Sequence, residues 1–309
     1  MTMRTSCYRL FAGLVFSAAF LIVPVQTEGP VLPGPIKIGH DRIAVHRNDD
    51  GTLKRGTLNQ IETSNWSGYA VANFSTTDTY TIAQASWTVP KVSYVAPPPV
   101  CHVYNFFGRQ SEFCTSTNVS AEYSSSWVGI GGYCESNSCT TVDNTLIQLG
   151  TEQDVSSRGE TQYYAWIEML PNSLVTIPHP VYPGDAITAS LTCQSNCSPS
   201  ENQSWSLSMQ DSTAGHSWTW TTTVTYTSTL LSAEWIQEAP SSYAGVLPLA
   251  DFVTASFDPT ADAVAPVLPG SDAIQMVDPY GETSNPSAAA TGAFSACWGN
   301  GSFASCATP

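Results

Sequence analysis

Apolar and polar residues alternate along most of this chain with the two-residue period of half-buried β-strands. Tyr80-Thr81-Ile82, Ala186-Ile187-Thr188-Ala189-Ser190-Leu191 and Thr219-Trp220-Thr221-Thr222-Thr223-Val224-Thr225-Tyr226 are typical, rich in the β-branched and aromatic residues that fit a pleated surface. Turn clusters such as Pro183-Gly184-Asp185 and Asp211-Ser212-Thr213-Ala214-Gly215 separate them, and Pro97-Pro98-Pro99 and residues 259–270 read as exposed loops. No long stretch carries the three-to-four spacing of an amphipathic helix. Many short strands with regular turns predict an all-β sandwich or barrel, and the length permits two large antiparallel sheets packed face to face.

Two N-terminal segments break the pattern. Residues 1–27 carry Arg4 and Arg9 ahead of an apolar run over 10–25, the layout of a secretory signal and shorter than a membrane span. Residues 28–60 hold Lys37, Arg42, Arg47, Lys54 and Arg55, half of the chain's 10 basic residues. From Ile61 to the end, three basic residues stand against 21 acidic ones, a net charge of −18. A basic leader before an acidic body predicts a pro-segment held partly by charge, ahead of one catalytic domain over 61–309. The acidic body also argues against nucleic acid and anionic membranes as partners.

Charged residues make up only 11% of the chain, so Ser, Thr, Asn and Gln must cover much of the surface. Cys7 falls in the signal, and the other eight cysteines form close couples: Cys101 and Cys114, Cys134 and Cys139, Cys193 and Cys197, Cys297 and Cys306. Each couple flanks a plausible turn, which predicts local disulfides in a secreted, extracellular protein. A zinc site on Cys193 and Cys197 is the rival reading; thiolate ligands suit reduced compartments, and no metal or other cofactor is expected.

The candidate chemistry sits in three stretches. Ser232-Ala233-Glu234-Trp235-Ile236-Gln237-Glu238 puts Glu234, Ile236 and Glu238 on one strand face and Trp235 and Gln237 on the other. Two carboxylates on one face mean a solvated face or a cleft. Thr145-Leu146-Ile147-Gln148-Leu149-Gly150-Thr151-Glu152 puts Gln148 on one face with Leu146 and Glu152. Tyr163-Tyr164-Ala165-Trp166-Ile167-Glu168 does the same for Tyr164, Trp166 and Glu168. An amide, aromatics and carboxylates together are the composition of a site rather than of a core.

With Ser64-Asn65-Trp66-Ser67-Gly68-Tyr69, Ala85-Ser86-Trp87-Thr88-Val89-Pro90 and Ser126-Trp127-Val128-Gly129-Ile130-Gly131-Gly132, these stretches resemble, in order, the motifs of the glutamic peptidases, or eqolisins. The resemblance runs from about Ser64 to about Phe257. It implies a lectin-like sandwich of two large curved sheets whose concave face holds the active site. It also implies an acid endopeptidase acting on proteins and peptides as a monomer and made as a zymogen with its own pro-segment as inhibitor. Carried over residue by residue, Gln148 and Glu238 are the catalytic pair, and Trp66, Trp127, Trp166 and Glu168 line and support the substrate cleft. Glu234 is expected to play a structural part. The family's acidic residues after W-V-G-I and before A-W are replaced here by Gly131 and Tyr164, and the segment after Asp278 does not match the family's ending.

The chemistry is coherent on physical grounds. Amide hydrolysis needs a base for water, a donor for the oxyanion and a proton for the leaving nitrogen. A carboxylate can take and return the proton, and a carboxamide donates without titrating, whereas histidine is already protonated in acid. The body holds only His102, His179 and His216, with no G-x-S-x-G and no H-E-x-x-H motif. Two other functions fit the same residues: a glycosidase using Glu168 and Glu238 as paired carboxylates, and a non-catalytic carbohydrate-binding sandwich.

Overall fold

The structure, a computed structural model, describes residues 37–309 except 73, 75–78, 107–108, 200, 260–272 and 290–291. The expected signal over 1–27, the first part of the leader and the predicted loop beyond Pro259 lie outside the described residues. Among the described residues there are nineteen strands and no helix. They are β1 (Ile61–Thr63), β2 (Trp66–Ala72), β3 (Ile82–Thr88), β4 (Val100–Phe106), β5 (Arg109–Thr115), β6 (Ala121–Gly131), β7 (Leu146–Ser156), β8 (Thr161–Met169), β9 (Val175–Ile177) and β10 (Ala186–Ser195). They continue with β11 (Gln203–Asp211), β12 (Trp218–Tyr226), β13 (Ser232–Glu238), β14 (Ser241–Ser242), β15 (Gly245–Val246), β16 (Thr254–Pro259), β17 (Ala273–Val277), β18 (Glu282–Pro286) and β19 (Phe294–Asn300).

Most strands belong to one hydrogen-bonded path, β12-β11-β10-β3-β16-β19-β18-β17-β2-β13-β6-β7-β8-β9, antiparallel throughout, with β1 added parallel to β17. The path folds back on itself, so that β3 and β10 pack against β6, β7 and β13. The expected sandwich is therefore built, but its two layers are halves of one continuous sheet rather than two separate ones. Strand period decides what fills the space between them. Ala83, Ala85 and Trp87 of β3, Ile187, Ala189 and Leu191 of β10, and Trp205 and Leu207 of β11 meet Val128, Ile130, Ile147, Leu149, Ile167 and Trp235 from the other half in one core.

The alternate residues of β2, β13, β6, β7 and β8 form a second apolar cluster on the opposite face, with Trp66, Trp127, Trp166, Leu146 and Ile236 at its centre. Ile43 of the leader packs into this cluster. Residues 37–60 are thus woven into the domain rather than standing apart from it. Bridges Gly39↔Ser241, Val45↔Thr63 and Arg55↔Ile61 tie them to the body, and Arg47↔Leu53 closes a hairpin.

The four cysteine couples are joined as expected, Cys101–Cys114 across the separate β4–β5 hairpin and Cys134–Cys139, Cys193–Cys197 and Cys297–Cys306 locally. Cys193 and Cys197 are therefore committed to each other and offer no thiolate pair.

Candidate active site

The register of β13, β6, β7 and β8 sets the site residues in three rows across one face. The first row runs Glu238–Ser125–Glu152–Tyr164, the second Ile236–Trp127–Gly150–Trp166, and the third Glu234–Gly129–Gln148–Glu168. Directly opposed residues on neighbouring strands point the same way, so all twelve positions share the face that carries the second cluster. The two glycines make room for the large rings. A Cβ at Gly129 would lie 2.9 Å from the Trp127 ring and 3.2 Å from Gln148 Cβ, so glycine lets the indole cross that position.

Into this face the leader inserts His40, fully buried. Its carbonyl accepts a 2.9 Å hydrogen bond from Gln148 Nε2, and its backbone N–H donates to Glu168 Oε2 at 2.7 Å. Its ring stacks on Trp166 with 3.7 Å between centroids and an interplanar angle of 8°. Ring Nδ1 lies 3.0 Å from Glu238 Oε2, and Nε2 lies 3.3 Å from Glu152 Oε2. Trp127 Nε1 donates to the same Glu238 oxygen at 2.7 Å, and Trp66 Nε1 donates to the carbonyl of Asp41 at 3.0 Å. Trp66 and Trp127 meet edge to face, 5.0 Å apart.

Five of the six residues expected to form the site therefore contact one leader dipeptide, His40–Asp41, and the sixth, Trp127, reaches it through Glu238. Trp66 and Trp127 serve as core packing and as donors at once, since both are fully buried in the second cluster while their indole nitrogens reach Asp41 and Glu238. Glu234 lies in the same row as Gln148, buried, and touches none of the leader contacts described above.

Burial dominates the electrostatics. It raises Glu238 well above the ordinary carboxyl value, against the opposing hydrogen bond from Trp127. Glu152 is likewise raised by burial and then by the neighbouring Asp154, which burial holds at about 7. Glu168 is pushed up to about 7 by burial, offset in part by the His40 N–H. Burial alone lowers the His40 imidazole well below 6.5. Beneath the leader burial opposes charge on the acids and on the imidazole alike; His40 Nδ1 lies within hydrogen-bonding distance of Glu238, whereas Nε2 only makes contact with Glu152. Two carboxylates on one strand face raised the choice between a solvated face and a cleft; the face is instead sealed, because chain preceding the domain covers it.

The two departures from the family pattern have local causes. Gly131 has φ +94°, and a Cβ there would lie 2.4 Å from the carbonyl oxygen of Thr145, so no acidic side chain fits; Asp143 Oδ2 comes within 3.2 Å of that point. Tyr164 opposes Glu152, and burial and the nearby acids push its phenol far up.

Sequence reasoning did not assign roles to Glu152 or His40. Glu152 was within reach, because it follows Gln148 by four residues on the same face. Nothing local distinguishes His40 in a Pro- and Gly-rich leader; its place depends on contacts more than 100 residues away.

The chain matches the peptidase A4 family over residues 64–279. Among solved structures it is similar to aspergilloglutamic peptidase from Aspergillus niger, at 23% identity over 58% of this chain and 99% of that one, with a TM-score of 0.40. No curated protein matches.

Proposed function

Because this chain belongs to the peptidase A4 family and is a glutamic-type peptidase, we propose that it is a secreted acid endopeptidase in which Gln148 and Glu238 activate water, kept latent by residues 28–60. The observation that carries this reading is the backbone at His40. One peptide carbonyl receives the Gln148 carboxamide while Glu238 reaches the same residue. A substrate carbonyl in that position would have its developing oxyanion stabilised by an uncharged donor.

Glu238 then takes the proton of the attacking water, and the tetrahedral intermediate forms with its oxyanion on Gln148 Nε2. Glu238 returns the proton to the amide nitrogen as the C–N bond breaks. Trp127 Nε1 holds Glu238 in place and favours its ionised form. Glu168 grips the backbone N–H of the residue whose carbonyl is attacked, and Trp66 grips the next carbonyl, so the peptide is fixed on both sides of the reacting bond. A Glu168/Glu238 sugar-cleaving pair does not use Gln148, whereas the peptide-bond reading does. While the leader is in place Glu238 is occupied by His40 and burial disfavours its ionised form, which opposes its action as a base. Once water replaces the leader, the carboxyl falls back toward the ordinary range and an acid-working base results.

The test is cleavage of a denatured protein at pH 3 to 4. Gln148→Ala is expected to lower kcat about 10²- to 10³-fold, the usual loss of an oxyanion donor. Glu238→Gln is expected to lower it about 10²- to 10⁴-fold. Folding retained with activity unchanged in Gln148→Ala would remove the carboxamide from the mechanism.

A further inference from the structure

The leader lies across the site in a form that explains more than occlusion. Its fixing to the body is largely uncharged. Gly39 and Ser241 exchange backbone hydrogen bonds of 2.9 and 2.8 Å; Ile43 N–H donates to Gly132 O, Ala44 N–H to Asn65 Oδ1 and His46 N–H to Glu62 O. Within this frame one side chain enters the catalytic row. The His40 ring is clamped between the Trp166 face, Glu238 from β13 and Glu152 from β7.

We propose that His40 is the inhibitory residue of the leader, shutting the site while its imidazole is neutral and releasing it when the ring takes up a proton. This rests on the reading of Gln148 and Glu238 given above. The geometry supplies the inhibition: Nδ1 sits on the Glu238 oxygen that a base would use, and the flat ring takes up the face of Trp166. The release follows from the surroundings. The titratable groups facing the ring are Glu238, Glu152 with Asp154 behind it, and Glu168 with Tyr164 beside it, while Asp41 and Lys37 flank it in the leader. Burial disfavours charge on Glu238 and Glu152, so an imidazolium formed between them would be desolvated with little counter-charge.

The signs can be separated. The docked ring titrates below its free value of 6.5, so its contribution to docking is fully present above pH 6.5 and is lost as pH falls. The carboxyls act oppositely. They are raised on docking, so they favour the closed state as pH falls toward their ordinary value of 4.5, and change nothing further below it. The ring therefore acts alone below about pH 4.5, which places opening in the acid range where an amide–carboxylate pair still works.

The test compares the full chain with His40→Gln, which keeps a polar, hydrogen-bonding side chain that cannot charge. Short deuterium pulses, read by mass spectrometry on intact chains only, report opening of the leader through the amides of Ile43, Ala44 and His46. The docking constant of the wild type relative to His40→Gln is expected to fall about tenfold per pH unit below 6.5, the slope of one proton. Histidine NMR of the wild type, with His40 assigned by difference, is expected to show the ring titrating below 6.5 and no higher. A pH-independent ratio, or a His40 ring that titrates at or above 6.5, overturns the proposal; the latter would mean a charged latch. If the variant does not dock at pH 7, the wild-type titration alone decides. Neither readout requires peptide hydrolysis, so an inactive chain with the expected titration would sink the peptidase mechanism and leave the latch standing.

Discussion

Glu282 offers a direct measurement of what buried carboxyls do to this fold. It opens β18 with its side chain fully buried beside Asp278. Asp278 Oδ1 accepts from the N–H groups of Tyr280 and Glu282 at 2.9 and 2.8 Å, and Oδ2 accepts from that of Leu249 at 3.0 Å. Those donors favour the charge on Asp278, but burial outweighs them and holds the carboxyl up at about 6. Glu282, raised first by burial and then by that charge, keeps its proton. The sign follows: a carboxyl raised in the folded state gives stability that is fully present below its unfolded value of 4.5 and is lost as pH rises. Each pH unit well above 4.5 costs about 1.4 kcal/mol for as long as the folded carboxyl stays protonated, and because the unfolded carboxyl is only half ionised at 4.5 the step from pH 4.5 to 6.5 removes about 2.3 kcal/mol. That is a large share of the roughly 5 to 15 kcal/mol that holds a typical domain. Glu282→Gln keeps the shape and a donor toward Asp278 and has no proton to lose. Urea unfolding of both proteins between pH 4.5 and 6.5 should show wild-type stability falling with pH, and the variant's slope shallower by about 1.4 kcal/mol per pH unit. Parallel slopes, or stability that rises with pH, would refute the assignment of a retained proton.

Other predictions test the site and its frame. Trp127→Phe removes the hydrogen bond that favours ionised Glu238, so the acid limb of kcat/KM should move to higher pH; an unmoved limb would detach Trp127 from the base. Gly129→Ala places a methyl 2.9 Å from the Trp127 ring and should destabilise by about 1 to 3 kcal/mol while lowering activity, measured by denaturant midpoint and kcat. Replacing the buried Cys134–Cys139 pair by serines should cost about 2 kcal/mol, read as a lower Tm.

How much was legible depends on range. The period of two placed Glu238, Gln148, Trp166 and Glu168 on their faces, because alternation is a local property of a strand. It also separated Ile236, in the site cluster, from Trp235, in the core between the layers. The register that brings Glu238, Ser125 and Glu152 into one row was not legible, since it is fixed by the pairing of strands far apart in sequence. The continuous path of the sheet was hidden for the same reason: periodicity shows faces and says nothing about which edges join.

The leader shows how far counting charge reaches. Five cations before a body of net charge −18 suggested docking held partly by opposite charge. That count takes every carboxyl as ionised. Burial raises Glu122, Glu152, Glu168, Glu234, Glu238 and Glu282, Glu122 to about 8, so the count overstates the charge of the folded body; Glu152, Glu168 and Glu238 are the three of these that meet the leader. The cations answer to this. Arg42 donates to Asn144, Arg47 to the carbonyls of Gly51 and Cys139, and Arg55 to that of Asn59. Lys54 meets a carboxylate, Glu62, at 2.6 Å. Apart from the contacts of Lys54 and His46 with Glu62, the leader is fixed mainly by hydrogen bonds of its backbone, so removing carboxylate charge loosens it chiefly at Glu62. Release by acid is then better served by a group that gains charge where charge is not tolerated, and the buried imidazole of His40 meets that requirement beside Glu238, the proposed base.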